Sequence, residues 1–485
     1  MAGHQLNWTQ LLNGSRRKDK VRVAADGNKA AQSTKIEFRT EFERDYDRIL
    51  FSTPVRRLAD KTQVFPLERN DGVRTRLTHS HEVSNLARSI GTHLVFDKKL
   101  AEENGVQVTR NIPALLAAIG LAHDLGNPPF GHQGEAAIQR WMAKNSSRIF
   151  DDKSDLTKAM KQDFLRFEGN AQTLRLLTRL QLLNDDFGLN LTYGTLAALL
   201  KYPVDSDKVE EKGSASRKKH GFFQSEKSIV EEVWSETGLA EGIRHPLTYV
   251  MEACDDIAYS MLDAEDASKK GLVSYFDLVA FLKHGNKKDP DSVISNVLAL
   301  AEKDHAEYSD QGLSPTELND ISIQKFRVYA ITHMVQAVTE SFAENLELLL
   351  AGSFTSDLIA ASRAKLLVKR LKSFAYTNAY KHRTVLEVEL TGANTIHGLM
   401  DLLWYAIQTR DDASTIGSKR SDPFANYVYS RISENYRRVC EASGNPMPIR
   451  YRELQLLTDM VSGMTDSFAM SLYEELRAYD ARQRG

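Results

Sequence analysis

Residues 112–124 read IPALLAAIGLAHD, and 125–129 continue LGNPP. The apolar run predicts a helix with Pro113 near its start, where a missing backbone N–H costs nothing. Leu116, Ile119 and His123 share one face at helical spacing. Gly126, Asn127 and two prolines then end the helix. Asp124 is the odd residue. A carboxylate at the end of so apolar a helix is costly to bury unless a partner offsets its charge. A cation does so, and adjacent His and Asp at a helix end can reach the same one. An HD dipeptide alone occurs often by chance, so further ligands have to be found elsewhere.

Two other segments offer them. In 76–94, RLTHSHEVSNLARSIGTHL, the residues Val83, Leu86, Ile90 and Leu94 recur at helical spacing. Extended backwards by one turn, that stripe lands on His79, whereas His81 falls with Asn85 and Arg88 on the polar side. In 246–266, PLTYVMEACDDIAYSMLDAED, Asp255 sits at the edge of a stripe of Leu247, Val250, Met251, Cys254, Ala258 and Met261. Tyr259 and Asp263 follow Asp255 along one flank, while Asp256 and Glu265 suit a solvated acidic face. Two imidazoles and two carboxylates make a mixed N/O set. That set suits Mg²⁺, Mn²⁺, Fe²⁺ or Co²⁺ better than a structural zinc held by thiolates.

The rest of the chain agrees with a helical enzyme. It has 485 residues, 42% hydrophobic and 26% charged, with a formal net charge of −2. Near neutrality excludes a strongly basic nucleic-acid packaging protein. Two cysteines, Cys254 and Cys440, exclude a disulfide scaffold and suit a reducing cytosol. No apolar run approaches the roughly 20 residues of a membrane span, and MAGHQLNWTQ at the start lacks an apolar signal core. We therefore expect a soluble, cytoplasmic, all-α protein without a membrane partner. Only 12 prolines interrupt it, and long helices such as 315–350 are expected. Val385–Leu390 is the best strand-like exception. We expect a mobile N-terminal arm over 1–36, a catalytic core over 37–285, and a helical C-terminal region over 286–485, to which the resemblance described next assigns oligomerisation and completion of the pocket. Residues 205–221 and 409–423 read as charged loops, with Lys218 and Lys219 as solvated charges.

The ligand pattern His79, His123-Asp124, Asp255 resembles the HD-domain metal-dependent phosphohydrolases. The flanking blocks are more specific: RRLADKTQVFPL (56–67), RTRLTH (74–79), HDLGNPPFGHQGE (123–135), RFEGNAQTLRLL (166–177), LLKYP (199–203), GFFQSEK (221–227) and EACDDIAYSMLDAED (252–266). Together they resemble the bacterial deoxyguanosine triphosphate triphosphohydrolases, and the similarity continues through YKHRTV (380–385). The resemblance implies an all-α HD fold, a homo-oligomer (a hexamer favoured), one divalent metal per site, and cleavage of dGTP or another dNTP to a deoxynucleoside and inorganic triphosphate. It assigns the metal to His79, His123, Asp124 and Asp255 and the catalytic pair to His132 and Glu135.

It also suggests substrate contacts. Arg76, Lys201, Tyr202 and Lys227 would face the phosphates, Gln63 the sugar 3′-hydroxyl, and Tyr259 with Asp263 the deoxyribose. Asn127 stands where many relatives carry a second histidine, a departure shared with the dGTP-preferring branch. Arg383 is a candidate contact at a subunit boundary. His132 and Glu135, three apart at a helix start, share a face. A carboxylate behind an imidazole would fix its tautomer, so that His132 either activates water or protonates the leaving oxygen. Some relatives respond to dNTPs or single-stranded DNA; the basic segments 16–20 and 216–220 permit anion binding but lack interleaved aromatics. Competing expectations are another HD phosphohydrolase, such as a nucleotidase or cyclic-nucleotide phosphodiesterase, and a nucleotide- or DNA-binding regulator.

Overall fold

Two helices that touch backbone to backbone set the frame. In the computed structural model, which describes residues 5–26, 37–65, 72–100, 108–151, 155–181 and 185–484, helix Arg76–Phe96 lies along helix Val108–Ala122. A Cβ at Gly120 would stand 2.8 Å from Ser84 Cα, and one at Gly91 would stand 3.1 Å from Pro113 Cα. The absent side chains are what allow the approach. Ser84 Oγ seals it by donating to the Ala117 carbonyl at 2.8 Å. Val83, Ala87, Ile90 and Leu94 on one helix and Leu115, Leu116 and Ile119 on the other are fully buried. The second helix begins at Val108, earlier than the proline suggested, and carries Pro113 inside its second turn.

Helix Pro246–Lys269 packs across this pair. Its cap is His245, whose Nδ1 accepts from Leu247 N–H while Nε2 faces the Leu11 carbonyl at 3.2 Å. Burial pushes that imidazole down to about 4, so it stays neutral and can do both. The Leu11 contact overturns the expectation for the N-terminus. Trp8 and Leu11 are buried, Arg17–Asp26 is a helix, and Arg16 is buried against Asp45 at 2.6 Å and Glu41 at 2.7 Å. Polar composition suggested a solvated arm, but the charge at Arg16 is satisfied by carboxylates far along the chain. Residues 1–4 and 27–36 lie outside the described residues.

Among the described residues every regular element is helical, and no helix is long and apolar enough to cross a membrane. The strand-like stretch Val385–Leu390 is the start of helix Arg383–Gln408. Its Val385 is buried whereas Leu386 and Leu390, one turn apart, are exposed, so its alternation was the flank of a helix. The 315–350 helix holds over Pro315–Glu344 and breaks at Asn345.

The apolar residues form two cores. One joins the HD helices to 293–379. The other joins Phe130, Ile138 and Trp141 to residues between Ile396 and Leu476. Packing therefore does not follow a sequence break at residue 285. A buried polar seam ties the two: Arg175 donates to Asp459 at 2.7 and 2.8 Å and to Glu226 at 2.9 Å, and Tyr451 donates to Asp163 at 2.5 Å.

Burial pushes the Asp163 carboxyl up to about 6, above its value of about 3.9 in an unfolded chain. Between those limits the folded protein holds a proton that the unfolded chain releases, so this group makes stability fall as pH rises through the window. Asp163→Asn keeps an acceptor for Tyr451 and removes the titration. Its urea midpoints at about pH 4.5 and 6.5 should differ less than those of the wild type, which equal differences in the two proteins would contradict.

Candidate metal centre

The three segments carrying the expected ligands converge. His79 projects inward from the first turn of helix Arg76–Phe96, and His81 is exposed, as its spacing required. His123 and Asp124 follow the end of helix Val108–Ala122, and Asp255 comes from the middle of helix Pro246–Lys269. Donor atoms of His79, His123 and Asp124 all lie within 4.8 Å of one another. Asp255 Oδ1 stands 3.2 Å from His79 Nε2 and 3.5 Å from His123 Nε2, and Asp124 Oδ1 stands 3.6 Å from the latter.

One nitrogen shows what the cluster is for. His123 Nδ1–H donates to the Gly120 carbonyl at 2.7 Å, inside its own helix end. That bond leaves the lone pair on Nε2, which is buried and has no hydrogen-bond partner. An orphaned acceptor between two carboxylates fits a divalent cation. The electrostatics agree. Burial alone would lower the His123 imidazole, but Asp124 and Asp255 override it and hold it at about 9. Burial would raise both carboxyls, yet Arg76 and His123 hold Asp124 well below the usual range, and His123, His79 and Lys201 do so for Asp255. The carboxylates thus favour positive charge at Nε2, which a proton supplies when no cation is bound.

Asp124 is aimed by two neighbours. Arg76 Nη1 donates to Oδ2 and Asn127 Nδ2 to Oδ1, both at 2.5 Å. Arg76 is itself enclosed: a Cβ at Gly131, which has φ +58°, would stand 2.6 Å from its Nη2. Asn127, expected to contact substrate, thus orients a ligand, and Arg76, expected on the phosphates, is at least partly committed to Asp124. Lys61 Nζ, fully buried, donates to the Asn127 carbonyl at 2.6 Å and to Ser462 O at 2.8 Å. It fixes the 127–131 loop from the second core.

Four further expectations need correcting. Glu135 does not back His132. Its Oε2 accepts from Gly169 N–H at 3.2 Å and its Oε1 from Lys219 at 3.3 Å. Burial, with Glu168 nearby, pushes this carboxyl up to about 7. Shared placement on a helix face did not decide the contact because Lys219 competes for it. Lys219, expected as a solvated loop charge, also pairs with Glu168 at 2.6 Å. The loop folds back here because Gly221 lies against Tyr202, where a Cβ would meet the carbonyl oxygen at 2.3 Å. Lys227, expected on the phosphates, is instead ion-paired to Asp205 at 3.0 Å. Glu265, expected on a solvated face, is buried against Arg74 at 2.7 Å and Arg327 at 2.8 Å.

The other residues named from the sequence lie in the following places. Lys201 Nζ stands 4.0 Å from Asp255 Oδ2 and 5.8 Å from the Tyr202 ring centre. Gln63 Oε1 is buried without a partner. His132 lies among Arg76 and Lys219, which together with burial hold its imidazole below the usual value, although the ring keeps access to solvent. Tyr259 stacks on Tyr380 at 5.9 Å, and Tyr380 donates to Asp263 at 2.5 Å. Burial pushes the Asp263 carboxyl well above its usual value, against the lowering effect of the Tyr380 hydrogen bond. Tyr380 and Lys219 were missed as site residues; Tyr380 heads the YKHRTV block and was the available signal. Arg383 is exposed at the start of helix Arg383–Gln408.

The HD domain family model matches residues 76–191, the span that contains His79, His123 and Asp124. A deoxyguanosinetriphosphate triphosphohydrolase-like protein of Listeria innocua is 38% identical, covering 97% of this chain and 99% of its own length. A deoxyguanosinetriphosphate triphosphohydrolase of Serratia proteamaculans is 32% identical over 90% of this chain and 94% of its own. A probable deoxyguanosinetriphosphate triphosphohydrolase of Pseudomonas aeruginosa is 34% identical over 90% and 93%.

Titration calorimetry with Mn²⁺ should find one site in the wild type and none in His123→Ala. Asn127→Ala, which loses only the aiming of Asp124, should weaken the site by about 10–100-fold. Wild-type affinity in Asn127→Ala would remove that residue from the ligand-positioning chain.

Proposed function

The chain belongs to the deoxyguanosinetriphosphate triphosphohydrolase family, and from that premise we propose that it hydrolyses dGTP, and other dNTPs more slowly, to a deoxynucleoside and inorganic triphosphate. Water attacks the α-phosphorus, the bond from phosphorus to the 5′-oxygen breaks, and that oxygen takes up a proton. The observation that carries the proposal is the bare, buried His123 Nε2 facing Asp124 and Asp255.

His79, His123, Asp124 and Asp255 would hold the metal, with Mg²⁺ or Mn²⁺ favoured over Co²⁺ or Fe²⁺. When bound, a divalent ion neutralises phosphate charge that would otherwise repel the incoming water. The chain supplies the remaining positive charge. Lys201 beside Asp255, Lys219 beside Glu168, and the unpartnered Arg76 Nε form a cationic rim for the triphosphate. Tyr202, against Lys201, completes that wall. Lys227 drops out of the proposal because Asp205 claims it.

His132 is the proton-transfer residue. Held neutral by burial and two cations, its imidazole can accept a proton from water at neutral pH. Glu135 acts at one remove by fixing Lys219. On the sugar side, the Tyr259–Tyr380 stack, with Asp263 accepting from Tyr380, forms a flat wall for deoxyribose, and the unpartnered Gln63 Oε1 is an acceptor for a hydroxyl hydrogen. The bulk of Tyr380 would exclude a 2′-hydroxyl. Exposed Leu386 and Leu390 follow Arg383 by three and seven residues along one flank of helix Arg383–Gln408. This apolar strip is the face we assign to a second copy in a homo-oligomer, with a hexamer favoured by family.

Chromatography of a dGTP digest distinguishes the proposal from a nucleotidase or a phosphodiesterase: inorganic triphosphate supports it, and orthophosphate or pyrophosphate as the first product overturns it. His132→Ala should lower kcat by about 10²–10⁴-fold with dGTP binding retained. Because the His132 pKa is depressed, the acid limb of the wild-type kcat profile should lie below that of an ordinary imidazole, and an acid limb above neutrality would contradict the assignment. Tyr380→Ala should cut the preference for dGTP over GTP by about tenfold or more, the scale on which pocket bulk discriminates substrates; an unchanged ratio would move the sugar gate elsewhere.

A further inference from the structure

A second positively charged recess lies on the seam between the cores, away from the metal ligands. It encloses about 340 Å³ and is lined by Arg57, Arg431, Ser433, Tyr436, Thr465 and Phe468, among others. Arg57 reaches it from helix Thr53–Arg57. One of its terminal nitrogens, Nη1, is engaged by uncharged acceptors, Tyr436 Oη at 3.0 Å and the Gly463 carbonyl at 2.9 Å. No carboxylate pairs with Arg57 among the described residues, and its Nη2 and Nε make no bond that the structure records. Arg431 reaches Glu475 only through Nη2, at 3.3 Å, with both side chains about one-third exposed. Its Nε is buried and has no partner.

Two guanidiniums with one peripheral carboxylate leave the recess with uncompensated positive charge. A guanidinium held by neutral groups keeps its outward N–H fork for an anion, and its planar geometry matches phosphate oxygens. Ser433 adds a hydroxyl, and Tyr436 and Phe468 give apolar walls. We propose that this recess is a binding site for a phosphate oxyanion, supplied as free phosphate or pyrophosphate or as the phosphate of a nucleotide.

The recess touches the same turn that carries the metal loop. Gly463, which Arg57 holds, adjoins Ser462, whose carbonyl accepts from Lys61; Lys61 also holds Asn127, and Asn127 orients Asp124. An anion on Arg57 would therefore bear on the metal centre through Gly463, Ser462, Lys61 and Asn127. The proposal does not rest on the dGTP reading, because the recess shares none of its residues with that site.

Calorimetry on the full-length, metal-loaded protein, dialysed free of excess metal, with inorganic pyrophosphate tests it. Ser433→Glu places a carboxylate in the recess at a half-buried position, and Arg431→Gln removes one cation. Both should weaken one binding event by tenfold or more while the thermal midpoint and dGTP turnover stay near wild type. Lys201→Ala, in the other site, should retain that event. Displacement of pyrophosphate by dGMP would identify a nucleotide as the source, and failure to displace it would identify the free anion. Unchanged pyrophosphate binding in both recess variants, or its loss in Lys201→Ala alone, would overturn the proposal.

Discussion

A single hydrogen bond from His123 to the carbonyl one turn behind it decides the chemistry of the centre. It spends the Nδ1 proton locally and turns the other nitrogen, stripped of partners, toward two carboxylates. The proton that the two acids hold on that nitrogen is the one a divalent cation would displace. The close helix contact at Gly120 matters for the same reason, because it holds the helices of His79 and His123 side by side, with the two rings 5.5 Å apart.

The centre is held in position by groups that have no business with the metal. Arg76 and Asn127 aim Asp124, Lys61 anchors Asn127, and Asp466 accepts from the backbone of Thr62 and Phe130. Each is buried or nearly so, and each costs desolvation that only complete pairing offsets. The bent loop 127–131, with left-handed Phe130 and Gly131, exists because charges on both sides grip it.

Much of this was legible in the chain. Helical spacing separated His79 from His81, and the position of Asp255 at a stripe's edge placed it correctly. An apolar helix ending in His-Asp announced a buried charge. What the spacing could not convey is competition between distant groups. Glu135 shares a face with His132, yet a lysine 84 residues later takes its carboxylate. Lys227 belongs to a quoted block, yet Asp205 neutralises it. Arg16 looked like part of a solvated tail because its acceptors, Glu41 and Asp45, lie beyond any local window. Periodicity reports which way a side chain points; it does not report which of several partners arrives first.

The seam has one more consequence. Phe130, Ile138 and Trp141 pack with residues beyond Ile396, and Asp459, Ser462 and Asp466 reach back to the HD side. A fragment trimmed to residues 76–191 would keep His79, His123 and Asp124 but lose Asp255 and the Lys61 clamp on Asn127. The minimal working unit is consequently nearly the entire polypeptide, and shortening it at the boundary suggested by motif content would leave a bundle with misdirected ligands.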